Sequence, residues 1–147
     1  MAVRAPSVVP AGASVVVEGA HGTAVNVLQW RPASPHLLLS ASHDPAIVLH
    51  DLRSPGQPLH RLLGHAPPGI RISSIYQPCF VGGGAAVVTG CERSTLISLY
   101  CTATGATISR GDAGFNPGAA CCNDGGPLLC SAGRAVRLLR PTWDPEV

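Results

Sequence analysis

Three short apolar runs, Val25 to Trp30, Leu37 to Ala41 and Ala46 to His50, stand close together near the start of the chain. Each is bounded by turn formers: Gly22, then Pro32 and Pro35, then Asp44-Pro45, then Ser54 to Gly56. Runs of this length between such residues predict consecutive β-strands. Leu37-Leu38-Leu39 and Ile47-Val48-Leu49 do not alternate with polar residues, so both faces of these strands are expected to be covered. Gln57 to Leu63 predicts a fourth, outer strand.

The unit repeats. Gly64-His65 follows Ala20-His21 at a distance of 44 residues, and a period of about 40–45 residues is that of propeller blades. The second unit predicts strands at Arg71 to Tyr76, Ala85 to Thr89, Thr95 to Tyr100 and Ala106 to Arg110. A third, weaker unit predicts strands at Ala119 to Asn123, Leu128 to Ala132 and Ala135 to Leu139, with no outer strand. Ser14 to Glu18 predicts a lone outer strand ahead of the first unit. The expected organisation is a loose lead-in over 1–12, a repeat segment over 13–141 with units at about 19–63, 64–110 and 111–141, and a tail over 142–147.

Ala20-His21, Trp30-Arg31-Pro32, Leu38 to Asp44 and His50-Asp51 together resemble the WD-repeat (WD40) pattern of Gly-His, aromatic-x-Pro, Leu-x-Ser-x-Ser-x-Asp and Trp-Asp. The resemblance covers most of residues 14 to 140 and is strongest in the first unit. It implies an all-β fold of antiparallel four-stranded WD-repeat propeller blades, about three of them and hence an incomplete propeller. It also implies a buried hydrogen-bonded chain in which His21, Ser40 or Ser42, and Asp44 take the family's roles, with His65 in the turn of the second unit. His50 stands where the family has tryptophan, and Leu99-Tyr100-Cys101 stands where Leu-Trp-Asp is expected.

Composition changes this picture little. Charged residues make up 12% of the 147 residues, against about 25% in an average domain, which suits strands packed on both faces and predicts exposed apolar edges. A net charge of +2 is too small to argue for nucleic acid. The N-terminal stretch is broken by Pro6, Pro10 and Gly12 and has no continuous apolar segment of the export type. No run reaches membrane-spanning length. The six cysteines contain no Cys-x-x-Cys pair, so they read as reduced, buried small hydrophobes of an intracellular, cytoplasmic or nuclear protein, and not as a zinc site. No cofactor is expected.

Catalytic patterns are weak. Contiguous Ser42-His43-Asp44 cannot converge on one proton path, because neighbouring side chains in extended backbone point apart. The acidic residues show no spacing of a paired general acid and base. Gly82-Gly83-Gly84 precedes a strand and not a helix N-terminus, so it reads as a turn and not as a phosphate cradle. Arg110-Gly111-Asp112 reads as the turn between the second and third units.

The resemblance therefore implies a non-catalytic scaffold that binds other proteins or peptides, with self-association through open blade edges. His50-Asp51-Leu52-Arg53 is similar to the Trp-Asp-x-Arg box by which WD-repeat substrate receptors engage the cullin-4 ubiquitin-ligase adaptor, which makes Asp51 and Arg53 candidate partner-binding residues. The stretch from His21 to Ala46 is also similar to one repeat of the Polycomb-group WD-repeat subunit that reads methylated histone tails. A histone-tail reader is a third expectation.

Overall fold

The computed structural model describes residues 16–66, 76–91, 94–118, 120–122, 128–132 and 134–139. The expected lead-in, the turn over 123–127 and the tail lie outside them, as does most of the strand expected at Arg71 to Tyr76.

Strands β1 (Val25–Trp30), β2 (Leu37–Ser42), β3 (Ile47–Asp51) and β4 (His60–Leu62) form one antiparallel sheet in chain order. Strands β5 (Cys79–Val81), β6 (Ala86–Cys91), β7 (Ser94–Cys101) and β8 (Thr107–Asp112) form a second sheet of the same topology. Strands β9 (Ala120–Cys122), β10 (Leu128–Ala132) and β11 (Ala135–Leu139) form a third. The architecture is all-β, and the sheets do not close into a ring. The helical content among the described residues is a single 3₁₀ turn, Gly82–Gly84, and no helix is long and apolar enough to cross a membrane.

Register sorts the side chains. In the first sheet Val27 pairs with Ala41, Gln29 with Leu39, Leu39 with Leu49 and Ala41 with Ile47. Because strand side chains alternate between faces, these residues share the face turned to the second sheet. There Val27, Leu39, Ile47, Leu49 and Leu62 meet Tyr76, Phe80, Val87 and Tyr100 in one core. On the second sheet's other face Cys79, Val81, Val88, Ile97 and Leu99 pack with Phe115 and with Leu139 of the third sheet. All six residues of β6 are buried, as its unalternating sequence requires. Burial of apolar area, at about 25 cal/mol per Å², is thus shared between neighbouring sheets.

Polar contacts tie the first two sheets together. Arg31 Nε donates to the Gly84 carbonyl (2.9 Å), and the Tyr100 hydroxyl donates to that of Leu63 (2.7 Å). The Tyr76 hydroxyl donates to the Ala46 carbonyl (2.9 Å). Glycine is required where backbone and side chain crowd. Gly84, at φ +89°, would place a Cβ 2.7 Å from Arg31 Cγ.

Some expectations need correction. The first described strand of the second sheet is Cys79–Val81, and the strand expected over Arg71 to Tyr76 lies outside the described residues except for Tyr76. Tyr76 is outside any strand and is buried, its hydroxyl held by the first sheet. The described part of the lone N-terminal strand, Val16 to Glu18, has no strand pairing. Arg110-Gly111-Asp112 lies within β8, paired to Ser98, Ile97 and Leu96, and not in a turn.

Candidate functional site: a buried polar chain and a strand-end ion pair

A continuous polar chain runs through the first sheet, on the side away from the second. Asp44 accepts from His21 Nδ1 at 3.0 and 3.1 Å, and from the Gly22 N–H at 2.8 Å. His21 Nε2 lies 2.8 Å from Ser40 Oγ, which lies 2.7 Å from His50 Nε2. With Asp44 ionised, His21 Nδ1 carries the proton and Nε2 accepts. The Ser40 hydroxyl then donates to His21 and accepts from the His50 Nε2–H. The His21 side chain is wholly buried and that of Asp44 is 15% exposed.

Register explains this convergence. Ser40 lies opposite Val48, and His50 opposite Leu38, so Ser40 and His50 share a face on adjacent strands. The turn through Asp44 brings its carboxylate to the residue-21 turn, where it also accepts from the Ala46 N–H at 3.2 Å. Two serines were open for the middle position, and Ser40 occupies it. Ser42 instead bonds the Thr23 hydroxyl (2.8 Å) and accepts from the Asp44 N–H (3.0 Å). His50 supplies an N–H at the position where the repeat pattern has tryptophan, and that substitution is legible only once its distance to Ser40 is known.

Electrostatics follow the geometry. Burial alone would raise the Asp44 carboxyl, but hydrogen bonds from His21, Gly22 and Ser42 outweigh it and hold the pKa below its ordinary value. Burial, reinforced by the positive charge of Arg61, pushes His50 down.

His65 behaves differently. It is buried against the Tyr76 ring, centroids 5.0 Å apart, and neither ring nitrogen has a hydrogen-bond partner among the described residues. The hydroxyl nearest in role, that of Thr89, donates to the Gly90 carbonyl (3.0 Å). Val87 to Cys91 lacks the Ser-x-Ser-x-Asp pattern that serves His21. Burial pushes His65 down to about 4, with Arg110 adding to the shift.

Asp51 and Arg53 meet at the end of β3. Arg53 Nε and Nη2 donate to the two carboxylate oxygens at 2.9 and 2.6 Å, and the Arg53 N–H adds a third bond at 3.0 Å. The hydrogen bonds from Arg53 hold Asp51 down to about 2. The guanidinium is 65% exposed. The aromatics Tyr76, Phe80 and Tyr100 are buried in the core between sheets, so they form no open cage. Among the described residues, no three His, Cys, Asp or Glu side chains gather as a metal ion would need.

No family model matches the sequence. A 65-residue stretch is 32% identical to the ribosome biogenesis protein WDR12 homolog of Ixodes scapularis, covering 44% of this chain and 15% of that protein. The chain therefore spans a small part of that relative. In fold it is similar to the WD40 β-propeller domain of Doa1, at a TM-score of 0.65 and 18% identity over 83% of this chain and 38% of that one. It is also similar to a chain of the mitotic checkpoint complex, at a TM-score of 0.62 and 20% identity over 78% of this chain and 34% of that one. The computationally designed Ika4 protein gives a TM-score of 0.59 and 22% identity over 80% of this chain and 66% of that one. With the repeat period, the sheet order and these likenesses in agreement, the chain has the fold of WD-repeat (WD40) β-propeller blades, here a partial propeller of about three blades.

Proposed function

We propose that this chain is a non-catalytic platform for binding other proteins or peptides. One observation carries the reading: the loops at one rim are fixed across the two complete sheets. Arg31, after β1, bonds the Gly84 carbonyl, and His60, at the start of β4, lies 2.9 Å from the Ala103 carbonyl through Nε2. A rim held in this way loses little further conformational entropy on docking, which favours affinity. The residues with chemical reactivity in the first sheet, His21, Asp44, Ser40 and His50, are bonded to one another inside the blade and are suited to positioning strands.

A second, more specific reading is that of a substrate receptor docking a cullin-4-type adaptor through Arg53. The supporting observation is that Asp51 grips the arginine and presents it, exposed, at the same rim. An orientation fixed by a carboxylate suits charge-assisted contact with a partner's carbonyls or carboxylates.

Quantitative affinity purification of the chain and its Arg53→Ala variant tests both. The platform reading expects a reproducible set of partners that survives Arg53→Ala and is lost when Arg31→Ala frees the rim. The receptor reading expects the adaptor to be recovered with the parent chain and lost with Arg53→Ala. Recovery of no partner by the folded parent chain counts against the platform.

A further inference from the structure

The turn between β3 and β4 carries Ser54-Pro55, one of two Ser-Pro dipeptides in the chain, and the turn between β1 and β2 carries the other, Ser34-Pro35. Their surroundings differ. Ser54 is exposed, and its hydroxyl makes no hydrogen bond among the described residues. The Ser54 N–H donates to the Asp51 carbonyl (2.9 Å) and the Leu59 N–H to that of Leu49 (2.8 Å), but Gly56 and Gln57 donate to no backbone carbonyl. Pro55 and Pro58 have no N–H to donate. The segment is therefore tied only at its ends. Pro55 also pushes Ser54 towards extended backbone, the form in which a protein kinase takes up its substrate. Ser34 is half-buried, its N–H donates to the Arg31 carbonyl (3.2 Å), and Arg31 is itself pinned to the second sheet through the Gly84 carbonyl. That turn is short and held.

Ser54 also adjoins a charged pair. Arg53 holds both carboxylate oxygens of Asp51 through Nε and Nη2, and it is the next residue in the chain. A phosphoserine carries about −1.5 to −2 charges and three strong acceptor oxygens. A single carboxylate is the weaker claimant for the same guanidinium.

We propose that Ser54 is a phosphorylation site for a proline-directed serine kinase, and that the phosphate draws Arg53 away from Asp51. In the transfer, Ser54 Oγ attacks the γ-phosphorus of the nucleoside triphosphate held by the kinase. The Oγ–P bond forms, the bond from that phosphorus to the bridging oxygen breaks, the hydroxyl proton passes to the kinase's base, and the nucleoside diphosphate leaves. The new dianion and the Asp51 carboxylate repel each other across one short turn, so the three-bond grip on Arg53 is lost. What this does to Arg53 as a partner contact rests on the rim reading above. The modification and its effect on Asp51 do not.

The test treats the full 147-residue chain, Ser54→Ala and Ser34→Ala with magnesium, ATP and either a cyclin-dependent or a mitogen-activated protein kinase, with a peptide of residues 48–60 as the unfolded control. One phosphoryl group is expected on the folded chain, mapped by fragmentation mass spectrometry to Ser54, lost in Ser54→Ala and retained in Ser34→Ala. Carbon-detected NMR titration of the Asp51 carboxyl then reads the second step. The midpoint is expected to rise from about 2 towards the ordinary 3.8 in the phosphorylated chain, and to stay low in kinase-treated Ser54→Ala. Phosphate on Ser34 overturns the assignment, as does a folded chain that takes no phosphate, whether or not the peptide does. An Asp51 midpoint unmoved by the phosphate overturns the release of Arg53. Partner recovery by the unmodified chain, which tests the platform, is independent of all of these outcomes.

Discussion

Ser40 is the hinge of the buried chain, because its single oxygen serves two imidazoles. Ser40→Ala leaves His21 Nε2 and the His50 Nε2–H without their partner in a largely buried site. The expected loss is about 1–3 kcal/mol, the cost of orphaned buried polar groups, read as a lower urea midpoint with an unchanged slope. His65 gives a second residue-scale prediction. Its ordinary pKa of 6.5 falls to about 4 in the folded chain, so between these values the unfolded chain binds the proton and the folded chain does not. Stability therefore falls as pH drops from about 6.5 towards 4, by up to about 1.4 kcal/mol per unit. Urea melts across this window are expected to show the slope, and His65→Phe is expected to reduce it. His50, also held down by burial, contributes with the same sign. The roles of His21, Asp44 and one of Ser40 and Ser42 were implied by the resemblance to the WD-repeat pattern, whereas the choice of Ser40 over Ser42 needed register. The unpaired state of His65 needed knowledge of where the Thr89 hydroxyl points.

At the scale of elements, continuous apolar runs located β2, β3 and β6, since strands covered on both faces leave that mark in any order of assembly. Tyr76, the one described residue of the strand expected at Arg71 to Tyr76, stands outside any strand, with its hydroxyl anchored on the Ala46 carbonyl. The join between the second and third sheets depends on Gly90, which is buried. A Cβ at that position would run into the Pro117 carbonyl oxygen and the proline ring. Gly90→Ala is expected to destabilise the chain by about 1–3 kcal/mol through overpacking. Hydrogen exchange should speed up first in β9 to β11, because Pro117 leads directly into β9. Equal acceleration in all three sheets would place the strain elsewhere.

For the whole molecule, the sequence by itself determined the class of fold and the repeat. A 44-residue spacing of histidine turns, strand-length apolar runs and turn formers are local properties, and local properties are written in residue order. Tertiary structure alone decided which polar groups meet, that His50 completes the chain in place of tryptophan, and that Arg31 and His60 fix one rim across two sheets. It also decided which apolar residues stay uncovered: Leu28 and Leu39 are the same residue type, yet one is 65% exposed and the other fully buried. The physical reason is that sequence records what a strand needs on its faces, while only the stacking of sheets settles which face finds a neighbour.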